Sequence, residues 1–162
     1  MRMIPAAMLA FALPLLAVPA AAQEAAPKSL GLKLDGKVKT PTTYTVAQLR
    51  AMPATSVTVS FQGHEDAGGT WKGVALAALV EKVGTVEEKG HGAFLQHVIM
   101  ARGTDGYAVG IAMGEIDPKF EGKAVTVAYE KDGKPLDSLR LIVPNDAHAG
   151  RSVRNLAELT VN

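Results

Sequence analysis

Two arginines near the end of the sequence have the residue types and spacing best suited to binding chemistry. Arg151 and Arg154 stand three residues apart in the order Gly150-Arg151-Ser152-Val153-Arg154. Guanidinium groups match the geometry of oxyanions, and a glycine turn frees backbone amides that can join them. The pattern predicts that this segment binds a phosphate or another oxyanion. The alternative is a turn with two ordinary solvated arginines.

Two polar loops contain histidines and carboxylates that could bind a metal ion if the loops met. His64, Glu65 and Asp66 lie in a glycine-rich stretch, and Asp146 and His148 lie in a later polar stretch. Nitrogen and oxygen ligands of this kind suit several divalent ions. The chain lacks an HExxH motif or a comparable ligand spacing. The sequence therefore favours two solvated loops and predicts no metal ligand.

The sequence offers no pattern for a covalent nucleophile. It contains no cysteine, which excludes disulfides, thiolate catalysis, cysteine-ligated zinc and iron–sulfur clusters. Ser60, Ser138 and Ser152 are present, but none stands in a Gly-x-Ser-x-Gly elbow that would expose and activate its hydroxyl. We therefore predict no catalytic residue. The single tryptophan, Trp71, is expected to pack at the boundary of the core rather than to stack on a ligand.

The charge balance excludes one class of partner. The 162 residues include 17 Lys and Arg and 16 Asp and Glu, which gives a formal net charge of +1. A nucleic-acid-binding domain shows a clear basic excess, so no nucleic-acid partner is predicted. The composition, with 48% hydrophobic residues, is that of a globular domain rather than a disordered chain.

The first residues have the pattern of a secretory signal peptide. Arg2 precedes an uncharged stretch, 3–22, that is apolar in its centre and ends in alanines. A positive start, a short apolar middle and small residues before the cleavage point are typical of such signals. We expect a signal peptide at 1–22, a flexible lead-in at 23–29 and one periplasmic domain at 30–162. An uncleaved membrane anchor is the alternative, which the prolines within the apolar run disfavour.

Apolar patterns divide the rest of the chain into short elements. Helical spacing occurs at 46–52 and 74–83, with a short irregular helix expected at 113–120. Strands are expected at 30–34, 56–61, 95–101, 107–112, 124–129, 139–143 and 156–161, with an edge segment at 37–43 after an Asp35-Gly36 hairpin turn. The helices are too few and too unevenly placed for a wound parallel sheet. The pattern predicts an α+β fold with mixed or mostly antiparallel sheets and few short helices.

Five short segments occur in an order that matches one known family. They are W-K-G-V-A-L at 71–76 followed by L-V at 79–80, D-G-Y at 105–107, D-G-K-P-L at 132–136, L-R-L-I-V-P at 139–144 and G-R-S-V-R at 150–154. In these segments the chain resembles the oxidoreductase molybdopterin-binding domain family, which has the sulfite-oxidase-like fold. The resemblance covers 30–161 and implies mixed sheets around a pterin–molybdenum pocket.

The resemblance also implies where the pocket lies. Enzymatic members bind molybdenum through a cysteine on the loop that follows the strand before the W-x-G element, and that position falls near Phe61 or Ser60 in this chain. Phenylalanine has no donor atom, and a neutral serine is a hard, weak ligand. The other side chains expected around the pocket come from the last motif and from two loops: Arg151, Ser152, Arg154, His64, Gln62 and His148.

Without the metal-ligating cysteine, the sequence favours a family member that does not perform molybdenum redox chemistry. We expect a small exported protein that binds a small anionic ligand, or a periplasmic protein partner, in the former cofactor pocket. Molybdopterin is the cofactor that the resemblance implies. Two alternatives stay open: a periplasmic molybdopterin-dependent oxidoreductase with Ser60 or no protein ligand on the metal, and a structural or interaction domain.

Overall fold

Nine strands form two β-sheets in the part of the chain that the computed structural model describes, residues 31–86, 89–90 and 92–162. The expected signal peptide (1–22) and lead-in (23–29) lie outside these residues. The strands are β1 (Gly31–Gly36), β2 (Thr42–Thr45), β3 (Thr55–Val59), β4 (Gly69–Ala75), β5 (Val98–Gly103), β6 (Ala108–Ala112), β7 (Thr126–Lys131), β8 (Lys134–Ile142) and β9 (Leu156–Val161).

The two sheets are almost entirely antiparallel. The five-stranded sheet has the order β2-β1-β9-β5-β6, and the four-stranded sheet has the order β3-β4-β7-β8. Among these named strands, β1 and β9 form the one parallel pair. Mixed sheets with few short helices confirm the predicted α+β class.

The helices are short and follow directly after strands. They are α1 (Val46–Arg50), α2 (Leu76–Val83) and α3 (Met113–Ile116), with single 3-10 turns at Glu65–Ala67, Ala93–Gln96 and Ala149–Arg151. Thr45 caps the start of α1 with a capping box. Its hydroxyl accepts from the backbone N–H of Gln48, and the side-chain oxygen of Gln48 accepts from the backbone N–H of Thr45. Within the described ranges, no helix combines the length and apolar character needed to cross a membrane.

The four-stranded sheet is covered by apolar clusters on both faces. Leu139 and Leu141 of β8 belong to the main core, which also contains residues of the five-stranded sheet and of α2. The opposite face contributes to a second cluster, made of Val57, Val59, Phe61, Ala67, Trp71, Ala128 and Ile142. Phe61 and Ala67 come from the 60–68 loop, and Ala149 of the 144–151 loop packs against the same cluster. The second cluster therefore joins both polar loops to the sheet.

Strand β4 was not expected from the sequence, which predicts no strand between 61 and 95 and a helix from Val74. The helix prediction is wrong at 74–75 because the strand continues to that point, with Trp71 in the second cluster between two exposed neighbours and Val74 in the main core. The register shifts just before Gly73, which breaks the alternation that marks a strand. A Cβ on Gly73 would lie 2.0 Å from the Val127 carbonyl oxygen, so the close approach of β7 requires glycine. Helix α2 begins two residues later than predicted.

The expected Asp35-Gly36 hairpin turn is also wrong. Both residues belong to β1, and the returning strand β2 begins only at Thr42. Gly36 has a φ of +89°, and a Cβ there would lie 2.1 Å from the Val161 carbonyl oxygen. The glycine therefore serves the close contact between β1 and β9 rather than a two-residue turn.

Candidate anion-binding site

Two shallow clefts meet at Arg140 and Arg154, next to the second cluster. The tryptophan cleft, about 380 Å³, is lined by Asp66, Trp71, Leu136, Asp137, Ser138, Leu139, Arg140, Arg154 and Asn155. The histidine cleft, about 300 Å³, is lined by His64, Ala67, Asp105, Tyr107, Arg140, Ala149, Gly150, Ser152 and Arg154. Two cationic side chains therefore stand where the clefts join.

The alternation of β8 positions Arg140. Its neighbours Leu139 and Leu141 pack in the main core, while the Arg140 guanidinium carbon lies 4.9 Å from the centre of the Trp71 ring. Burial lowers the pKa of Arg140, the nearby charge of Arg154 lowers it further, and the charge of Asp66 opposes both effects in part. The Nε atom of Arg140 is buried and has no hydrogen-bond partner among the described residues.

Ser152 places a second buried polar group in the histidine cleft. Only 7% of the residue is exposed, and its hydroxyl has no hydrogen-bond partner in the described part of the chain. A buried polar atom without a partner is destabilising by about 1–3 kcal/mol. The Arg140 Nε–H and the Ser152 hydroxyl can both donate, and both residues line the histidine cleft.

Arg154 adds an accessible positive charge. Its side chain is 63% exposed, and its terminal nitrogen lies 3.7 Å from a carboxylate oxygen of Asp66, itself 77% exposed. Exposed ion pairs at such distances contribute little and exchange readily with other anions. The Arg154 guanidinium therefore remains able to contact a ligand.

The two polar loops meet, as a shared site requires. The backbone N–H of Gln62 donates to the backbone carbonyl of Ala147 at 2.8 Å, and His148 Nδ1 lies 3.4 Å from the backbone carbonyl oxygen of Gln62. His64 lines the histidine cleft, whereas Gln62 and His148 join the loops beside it. The structure thus brings Ser152, Arg154 and His64 to one cleft. No three His, Asp or Glu side chains converge as metal ligands within the described ranges.

Arg151 lies in different surroundings from Arg154. Its Nε and one terminal nitrogen donate to the two carboxylate oxygens of Asp146, at 2.9 and 2.7 Å. Its other terminal nitrogen donates to Glu115, at 2.9 and 3.2 Å. Its hydrogen-bond donors therefore face carboxylates of the protein, and Arg151 is not among the residues lining either cleft.

Three residues of the site were not predicted from the sequence: Arg140, Trp71 and Tyr107. Arg140 is a charged residue inside the apolar run 139–143, and this was the one signal that could have identified it. Trp71 was expected to pack in the core, which it does, but it also forms a wall of the tryptophan cleft. The Tyr107 hydroxyl donates to the Gly150 carbonyl at 2.6 Å.

A family model described as the oxidoreductase molybdopterin binding domain matches residues 16–162. The chain belongs to this family. The match covers nearly the whole sequence, so the order of motifs from 71 to 154 reflects true membership. No curated protein matches the chain.

One solved structure has a similar fold. The crystal structure of the sulfane dehydrogenase SoxCD from Paracoccus pantotrophus matches with a TM-score of 0.62 and 18% sequence identity. The match covers 81% of this chain and 37% of that chain. At this identity the likeness concerns the fold alone, and this chain spans little more than a third of the length of its neighbour.

The residues present offer donors for an oxyanion but no suitable protein ligand for molybdenum. At the position where enzymatic members ligate molybdenum, Phe61 is buried in the second cluster and Ser60 is exposed and carries only a hydroxyl. Neither supplies the soft, anionic sulfur that this metal prefers. Arg140, Arg154 and Ser152 do fit an oxyanion. Protein-ligated molybdenum is therefore not supported by this donor set.

Proposed function

We propose that this molybdopterin-binding-family domain is exported and binds a small anionic ligand between Arg140 and Arg154, without redox chemistry on a protein-ligated metal. One observation is central to the proposal. In the described part of the chain, the Arg140 Nε–H and the Ser152 hydroxyl are buried donors without partners, and both residues line one cationic cleft. An oxyanion would accept from both and would be held from the solvent side by Arg154.

Charge compensation supports the same proposal. The Arg140 guanidinium has lost much of its water, and the charge of Asp66, which favours the cation, forms no ion pair with it among the described residues. A partly buried charge without a partner is costly, and a bound anion removes that cost. The aromatic ring of Trp71 stabilises the cation only in part.

The sole tryptophan gives a direct assay. Trp71 contacts Arg140 and lines the tryptophan cleft, so an anion on Arg140 should change the fluorescence of Trp71. We expect a saturable change on titration with sulfate, measured against chloride at equal ionic strength. The variants Arg140→Met and Arg154→Gln should abolish or strongly weaken it.

A matched control uses an arginine that is stacked on another ring. The Arg50 guanidinium carbon lies 4.7 Å from the centre of the Tyr129 ring, and Arg50 lines neither cleft. Arg50→Gln should leave the sulfate titration unchanged. If sulfate gives no saturable signal, or if Arg50→Gln weakens it as much as Arg140→Met does, the anion-binding proposal fails and a structural or interaction domain is favoured.

Family membership supports a second candidate, a periplasmic oxidoreductase that holds molybdopterin without a protein ligand on the metal. The cofactor would supply the redox chemistry, and the protein would only bind and orient it. Molybdenum and pterin per chain, measured on protein exported by a molybdopterin-producing bacterium, separate the candidates. Near-stoichiometric molybdenum would support this second candidate and contradict the first.

Export is part of the proposal and has its own test. The support is the charged start, apolar centre and alanine-rich end of residues 1–22. Expressed with this leader, the protein should be recovered from the periplasm with Gln23 as its first residue, as read by mass spectrometry. Recovery from the cytoplasm with the leader intact would refute export without affecting the anion-binding test.

A further inference from the structure

The segment that precedes Ser152 is tied to its neighbours by an ion-pair network around Arg151. Arg151 bonds both oxygens of Asp146 on its own loop and both oxygens of Glu115 in α3. Its side chain is 34% exposed, while those of Glu115 and Asp146 are 22% and 17% exposed. Two carboxylates from different elements are therefore held by one guanidinium.

Glu115 is itself fixed by two further donors. Its carboxylate accepts from the Ala112 amide at 3.3 Å and from Lys123 Nζ at 3.3 Å. Burial acts to raise the pKa of Glu115, but the bonds from Arg151, Ala112 and Lys123 together lower it below its usual value. Glu115 is therefore held in its charged form by three donors, which makes it an attachment point on α3 for the Arg151 side chain.

Two other contacts tie the same loop to the cleft walls. Tyr107 donates to the carbonyl oxygen of Gly150, and the Gln62 amide donates to the carbonyl oxygen of Ala147. Ser152 comes directly after this loop, and its amide bonds back to the Ala149 carbonyl at 2.9 Å. The position of the Ser152 hydroxyl therefore depends on where the 144–151 loop is held.

We infer that Arg151 is a positioning residue, which fixes the 144–151 loop against α3 through Glu115 and Asp146 and so sets Ser152 and Arg154 at the cleft. This inference rests on the proposed function for its effect on ligand binding. It assigns the two arginines of one motif to separate tasks: Arg154 contacts the ligand, and Arg151 holds the segment that presents it.

A double-mutant cycle between Arg151→Gln and Glu115→Gln tests the inference, with sulfate affinity read from Trp71 fluorescence. Each single variant should weaken sulfate binding about tenfold, the order of effect that supporting side chains have at other binding sites. The double variant should be no weaker than the worse single variant, because both remove the same attachment. Additive losses would overturn the inference, since a direct Arg151–ligand contact would act independently of Glu115.

A conservative variant and an exchange measurement guard against misfolding and against failure of the proposed function. Arg151→Lys keeps the charge and one carboxylate contact, so it should restore about half of the lost binding free energy. Amide hydrogen exchange at Ser152 should accelerate in Arg151→Gln and less in Arg151→Lys. If the wild-type protein binds no sulfate, the proposed function fails. The positioning role is tested separately: equal exchange rates at Ser152 in the wild type and in Arg151→Gln would overturn it.

Discussion

Arg151 and Arg154 stand three residues apart, yet their guanidinium groups have opposite surroundings. Arg151 lies 2.7 Å from Asp146 and 2.9 Å from Glu115, and its side chain is 34% exposed. Arg154 lies 3.7 Å from the exposed carboxylate of Asp66, and its side chain is 63% exposed. The comparison teaches that two arginines of one motif can differ in their availability. The carboxylates around each guanidinium decide whether its donors are already occupied by the protein.

Arg140 extends the comparison to a buried position. Like Arg151 it is partly withdrawn from water, but Arg140 stacks on Trp71 and leaves its Nε–H without a partner among the described residues. Arg151 bonds two carboxylates of the protein, whereas Arg140 feels the charge of Asp66 without an ion pair in the described part of the chain. Substitution of Arg140 should therefore mainly reduce anion affinity, whereas substitution of Arg151 should mainly reduce the stability of the fold.

The largest expected effect is on ligand binding. The double variant Arg140→Met and Arg154→Gln removes both charges at the junction of the clefts. We expect its sulfate affinity to fall by about a hundredfold, because charge-assisted hydrogen bonds to both groups are lost. The Trp71 fluorescence titration measures this, and an affinity within threefold or so of the wild type would show that the anion binds elsewhere.

The next effect is on the free energy of unfolding, where replacing Arg151 should cost more than replacing Arg140. Arg151→Met should lower the free energy of unfolding by about 1–2 kcal/mol, because Asp146 and Glu115 lose their shared partner. Arg140→Met should lower it by no more than about 0.5 kcal/mol, because an uncompensated charge is replaced by an apolar chain of similar length. Urea unfolding without added anions makes the measurement. The opposite ranking would contradict the comparison.

A smaller effect follows from the pH dependence of the Arg151 network. Although burial opposes it, bonding to Arg151, Ala112 and Lys123 lowers the pKa of Glu115 in the folded protein. A lowered native pKa gives stability that is present above the unfolded pKa and is lost as the pH falls through the native value. Glu115→Gln should therefore show a shallower loss of stability on acidification than the wild type. Parallel curves would mean that Glu115 has no part in acid sensitivity.

The smallest effect concerns the exposed partner of Arg154. Asp66→Asn removes a carboxylate that competes weakly with a ligand for Arg154. Sulfate affinity should rise by about twofold or less, and stability should change by less than about 0.5 kcal/mol. A large fall in affinity in the same titration would mean that Asp66 takes part in binding rather than opposing it.

The sequence predicted the fold class because short strands and helices depend on local patterns. The alternation in 56–61 overlaps β3, and the strand expected at 156–161 coincides with β9. Strand β4 escaped prediction because its alternation of exposed and buried residues ends at the register shift before Gly73, after which Gly73 and Val74 are both buried. The shift places Trp71 and Val74 in different clusters, so no period of two runs through the whole strand.

The separate surroundings of the arginines could not be predicted in the same way. Glu115 lies 36 residues before Arg151 in the chain, and only the packing of α3 beside the loop brings them together. Arg140 lies between Leu139 and Leu141 near the end of β8, and a charge in this short apolar run has no pattern that shows its partner. Long-range contacts decide both cases, and no local spacing encodes them.

The central claim is that an anion binds Arg140 and Arg154 while Arg151 stays bound to protein carboxylates. The most direct test follows the arginine side-chain Nε–H signals by ¹H–¹⁵N NMR during a sulfate titration. The account predicts saturable shifts for Arg140 and Arg154, with the Arg151 signal unmoved and protected from exchange. A saturable shift of Arg151 with Arg140 unchanged would contradict the account, as would a titration in which none of the three signals moves.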